Sequence, residues 1–135
     1  QDTFTTAERE FLKGLGAKVA VYQDILTSYA LELKNAGTVK SPNFAVTPAM
    51  RTVVYDRLGA ADVGMSRATF DGGAPLVDRQ LGYTISRYVF GRSAEFVRRA
   101  ADDVQVQTAL GLLAKASTPQ ALISLGDRPT VPARK

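Results

Sequence analysis

From Leu81 to Leu113 the chain reads LGYTISRYVFGRSAEFVRRAADDVQVQTALGLL, and the spacing of its apolar residues leaves few folds open. Leu81, Ile85, Tyr88 and Val89 recur at intervals of three and four, and beyond Gly91 so do Phe96, Val97 and Ala100, then Val106, Ala109, Leu110 and Leu113. That period follows a helix turn of 3.6 residues and gathers the apolar side chains on one face, whereas a strand would alternate every second residue. No strand pattern of useful length and no internal repeat appears elsewhere. The prediction is an all-α fold: a single compact bundle of six or seven short helices over residues 1–126, followed by a flexible, proline-containing basic tail over 127–135.

Size and composition agree with one core. A chain of 135 residues removes roughly two-thirds of its unfolded surface from water. With 45% hydrophobic and 22% charged residues it lies in the globular range. Seventeen Lys and Arg against thirteen Asp and Glu leave +4, spread along the chain instead of gathered into a basic stripe. That distribution argues against nucleic acid, whose phosphates reward clustered cations. There is no histidine and no cysteine. The commonest groups that titrate near neutrality or hold a metal are therefore missing, and so is any disulfide framework. No cofactor or metal is expected. No apolar run approaches the ~20 residues that span a bilayer, so no integral membrane segment is expected. The start at Gln1, without a methionine or an apolar signal core, reads as a boundary left by processing or excision.

Along the chain, Thr5-Thr6-Ala7-Glu8 has capping-box spacing and predicts a helix over 6–15 with Phe11, Leu12 and Leu15 inward. A second helix is predicted from Ala17 to Lys34, stopped by Asn35-Ala36-Gly37, with an exposed loop at 40–43 that Phe44 and Val46 anchor. Thr47-Pro48 opens a third, since threonine caps and proline at the first helical position forfeits no hydrogen bond. Ser66 to Phe70 adds a turn before a predicted loop at Asp71-Gly72-Gly73-Ala74-Pro75. A helix follows over 76–90. Ser93 is expected to cap a short helix with Phe96, Val97 and Ala100 inward and Arg92, Arg98 and Arg99 in water, and Asp102 or Asp103 to cap the next. Thr118-Pro119 starts a last turn or two.

Residues that suggest chemistry have sufficient structural explanations. Ser93 with Lys115 has the composition of a serine–lysine dyad, but the serine suits a cap and the lysine a helix end. Asp102-Asp103 with Asp71, Asp78 or Glu95 lacks the alternation and turn glycine of a calcium loop. Asp71-Gly72-Gly73 lacks the lysine and preceding strand of a phosphate cradle. Most of the aromatic residues belong on buried stripes. Tyr83, off the main stripe of its helix, and Arg87 are the candidate partner contacts, because tyrosine and arginine are enriched at interfaces.

The same stretch resembles a known family. Tyr88, Phe90-Gly91, Phe96, Asp102-Asp103, Gln105-Val106-Gln107, Ala109-Leu110 and Leu113, in that order, are similar to the tail of bacterial carboxyl-terminal processing serine peptidases. Phe44-Ala45-Val46-Thr47 resembles a helix entry in those tails, and Asp2-Thr3-Phe4-Thr5-Thr6-Ala7-Glu8 resembles the linker just after their catalytic core. The resemblance covers residues 2–125. It implies a non-catalytic helical region that serves scaffolding, oligomerisation or adaptor docking. The serine nucleophile and lysine base would lie upstream of Gln1, so no catalytic residue transfers to this chain. It also implies that the partner is the chain's own catalytic core or another protein subunit, a second copy included, and that the setting is the periplasm or cell envelope. The competing reading is a stand-alone helical interaction module, an adaptor with no enzymatic parent.

Overall fold

The structure, a computed structural model, describes residues 4–114, with side chains through Asp103. It is all-α, with no strand among the described residues. Helix α1 spans Thr6–Leu15, α2 Val19–Ala36, α3 Pro48–Ala60, α4 Arg67–Gly72, α5 Ala74–Ile85 and α6 Arg92–Ala114. A 3-10 turn at Gly16–Lys18 joins α1 to α2, and a π-helical turn at Ser86–Phe90 extends α5. The expected last turn at Thr118-Pro119 and the 127–135 tail lie outside the described residues. The chain forms two compact units, residues 1–98 and 99–135. The core described below belongs to the first.

Helix starts follow the capping logic. The Glu8 amide donates to Thr5 Oγ1 at 3.0 Å while the Thr5 amide donates to Glu8 Oε1 at 3.1 Å, a complete capping box. Thr47 Oγ1 accepts from the Met50 amide at 3.2 Å with Pro48 in the first turn of α3, and Ser66 Oγ accepts from the Thr69 amide at 3.1 Å to start α4. Gly37 ends α2 in the left-handed conformation at φ 67°, where its amide reaches the Leu33 and Lys34 carbonyls.

Two departures from the sequence reading have physical causes. The segment 71–75 is not a loop: α4 continues through Gly72, Gly73 alone intervenes, and α5 begins at Ala74 with Pro75 in its first turn. The paired glycines serve close packing. A Cβ on Gly73 would lie 2.6 Å from both Cβ and Cγ of Phe11, and one on Gly72 would lie 3.1 Å from Ala7 Cβ. Likewise, Ser93 and the Asp102-Asp103 pair do not cap helices, because α6 starts at Arg92 and runs unbroken through all three. Gly91, at φ 110°, makes the break before it.

The core gathers Phe11 and Leu15 from α1, Tyr22, Leu26 and Ala30 from α2, Val54 and Leu58 from α3, Phe70 from α4, and Leu76, Val77, Leu81 and Ile85 from α5. Phe11 sits edge-on to Tyr22 and Phe70, at 5.5 and 5.9 Å between centroids. Helix α5 is the hub. Its consecutive residues Asp78, Arg79 and Gln80 each reach a different helix: Arg51 Nη1 of α3 donates to both Asp78 oxygens at 2.8 and 3.0 Å, Arg79 pairs with Glu8 of α1 at 3.4 Å, and Gln80 Oε1 accepts from the Tyr22 hydroxyl of α2 at 2.7 Å. Glu8 is only 2% exposed, so its carboxylate needs both the Arg79 cation and its own cap.

Candidate functional site

The surface near Gly91 concentrates aromatic and arginine side chains on three elements: the π-helical turn, the start of α6, and the segment 38–46 between α2 and α3. Tyr83 and Arg87, the residues singled out from sequence, are both half-buried. The Arg87 guanidinium lies 5.6 Å from the Tyr88 ring centroid, a cation–π contact within its own turn. Ser86, at the head of that turn, is fully buried, and its Oγ has no hydrogen-bond partner among the described residues.

Arg98 forms a clasp that the sequence reading missed. Its Nη1 donates to the Phe44 carbonyl at 3.0 Å and to the Pro42 carbonyl at 3.3 Å, and its guanidinium lies 4.2 Å from the Phe44 ring centroid. Phe44 in turn stacks on Phe90 at 6.5 Å and 27°. The clasp straps residues 38–46 down, with Val39, Phe44 and Val46 packed against the core. Gly82 makes room, since a Cβ there would lie 2.8 Å from Arg98 Nε. The expectation of Arg98 in water is thus corrected. Carbonyls 56 and 54 residues earlier in the chain recruit a cation that local hydropathy assigns to solvent.

The same rotation of α6 turns the expected inward pair outward. Phe96 is 72% exposed and Val97 64%, because the side of the first turns that faces the protein is taken by Ala94, Glu95 and Arg98, all half-buried. Adjacent exposed side chains of this size are unlike the scattered apolar atoms of an ordinary surface. A single hint was present in the sequence: with Arg98 one residue beyond Val97, a helix that uses its arginine inward must turn the phenylalanine and valine out.

The polar clusters weighed for chemistry are committed elsewhere. Asp78 is held by Arg51 and Asp71 by Arg67 at 2.9 Å, and among the described residues no group of three or more acidic side chains is placed to hold a metal. Ser93 lies in the first turn of α6, and Lys115 lies outside the described residues. An open depression of about 280 Å³ between α1 and α4 is lined by Glu10, Lys13, Met65, Ser66 and Thr69. Its two hydroxyls already serve the α4 cap, where Ser66 Oγ donates to Thr69 Oγ1 at 3.0 Å. No helix among the described residues is long and apolar enough to cross a membrane.

Fold and surface together define an all-α protein with an arginine-clasped strap and an exposed apolar pair on its last described helix. No protein-family model, no curated protein and no solved structure matches the chain.

Proposed function

We propose that this chain is a helical docking module with no bond-breaking role of its own, and that it is the region following the catalytic core of a carboxyl-terminal processing serine peptidase. The observation that carries the docking role is the outward Phe96–Val97 pair. Leaving two large apolar side chains in water forgoes on the order of 1.5–3 kcal/mol each, which a partner surface recovers by covering them. Tyr83 and Arg87, with the composition of interface residues, are proposed to lie at the edge of the contact. The peptidase context is supported by the order of motifs from Phe44 to Leu113. In that setting the upstream core would cleave peptide bonds in the cell envelope while this region braces the core or receives an adaptor.

Two measurements test the proposal separately. The reading frame ahead of Gln1 is expected to encode a peptidase core with its serine and lysine; a frame without one replaces the peptidase context with the stand-alone adaptor. Phe96→Asp is expected to leave the helical circular dichroism unchanged and to weaken association with the partner protein ~10-fold or more. Unchanged association would refute docking through α6.

A further inference from the structure

We propose that the surface which covers Phe96 and Val97 is acidic: a segment of another protein that presents carboxylates beside apolar side chains. The inference rests on the docking reading above and names the chemistry of the partner. Its first ground is the face itself. Arg92 and Phe96 stand one helical turn apart, as do Ser93 and Val97, and all four are exposed, so the two apolar side chains share their patch with a guanidinium. Glu95 lies on the other, half-buried side of these turns.

The second ground is how the neighbouring arginines are held. Arg51, Arg57, Arg67 and Arg79 pair with Asp78, Glu32, Asp71 and Glu8, so their charge is met within the fold. Around Gly91 the contacts are neutral: Arg87 lies over the Tyr88 ring, and Arg98 over the Phe44 ring with the Pro42 and Phe44 carbonyls. Rings and carbonyls hold a guanidinium without cancelling its charge. The strap 38–46 and the segment 86–98, which the clasp joins, carry Lys40, Arg87, Arg92 and Arg98 against Glu95 alone, a net +3 in a chain of +4. Cations spread along the sequence are thus gathered by the fold, and their field favours the approach of a negative surface. Two apolar side chains are too few for a helix to lie in a bilayer, which takes an apolar face along the helix length. Four cations also fall short of the extended phosphate contacts that hold nucleic acid. A carboxylate-bearing protein segment answers both the charge and the apolar pair.

Fluorescence anisotropy of a short labelled peptide of glutamate, leucine and phenylalanine, titrated with the full 135-residue chain, is the test, run beside the same peptide with glutamine in place of glutamate. Circular dichroism checks that each variant keeps its helices. The acidic peptide should bind ~10-fold or more tightly than the glutamine peptide, lose that advantage as salt is raised, and be weakened by Phe96→Ala. Arg92→Glu should remove most of the advantage while leaving the glutamine peptide unaffected, a selectivity that a merely structural role for Arg92 would not produce. An acidic peptide that binds no better than the glutamine one, an advantage untouched by Arg92→Glu, or phosphatidylglycerol vesicles or a single-stranded oligonucleotide bound more tightly than the acidic peptide would each overturn the acidic partner. Equal binding of the two peptides that Phe96→Ala still weakens would leave docking through α6 standing and remove only this choice of partner. Indifference of both peptides to Phe96→Ala would remove docking through α6 as well.

Discussion

Gly73 and Ser86 show how single residues carry tertiary information that their types conceal. Gly73 reads as a loop glycine, yet it is a point of contact: the Phe11 side chain occupies the space where its Cβ would be, at 2.6 Å. Because backbone on one side and a core ring on the other leave little room to yield, Gly73→Ala should cost about 1–3 kcal/mol by overpacking. Urea unfolding measures it, and a neutral result would mean that α1 and α4 separate easily. Ser86 is the opposite case. Its buried Oγ makes no hydrogen bond among the described residues, so the hydroxyl was stripped of water with no return. Ser86→Ala should therefore leave stability unchanged or raise it by up to about 1 kcal/mol, where most buried substitutions lower it. A loss beyond that range in the same unfolding curves would reveal a partner for the hydroxyl.

At the scale of elements, the caps at Thr5 and Thr47 were legible in the sequence, whereas the continuity of α6 through Ser93 and Asp102-Asp103 and the facing of its first turns were not. Thr5 and Thr47 each act within four residues of themselves, so their roles follow from local spacing. The facing of α6 is set by Arg98, whose partners Pro42 and Phe44 lie 56 and 54 residues away in the chain. The clasp gives the strap a dependence that can be measured. Arg98→Ala should speed amide hydrogen exchange in residues 38–46 on the order of tenfold, corresponding to about 1.4 kcal/mol of local stability, while amides of the α2 and α5 core keep their protection. Gly82→Ala should act in the same direction, since the new methyl displaces the Arg98 side chain. Equal acceleration throughout the helices would show that the clasp supports the whole fold instead of the strap.

For the molecule as a whole, the core and its polar hub predict a pH dependence. Burial pushes the Tyr22 hydroxyl well above the ordinary phenol value of 10.0, and the nearby Asp78 carboxylate adds to the shift. As pH rises through that value, the unfolded chain releases the proton and the folded chain retains it, so stability present below it is lost above it. Urea midpoints should be level near neutrality and fall above pH 10.0, more gently in Tyr22→Phe than in the parent chain. A residual slope is expected in the variant, because burial also raises Tyr29. Identical slopes would mean that Tyr22 is free to ionise in the folded state.

The sequence by itself determined the all-α class, the starts of α1 and α3 and most of the buried stripe of α5, because helix period and caps are short-range properties of neighbouring residues. It also singled out Tyr83 and Arg87, which the structure leaves half-buried beside a π-helical turn that no periodicity announces. Only the tertiary structure decided that the glycine pair at 72–73 is a packing contact, that Arg98 is a clasp, and that Phe96 and Val97 face water. Each of those outcomes depends on a surface brought from a distant part of the chain, and hydropathy, which ranks side chains one at a time, contains no record of what stands opposite.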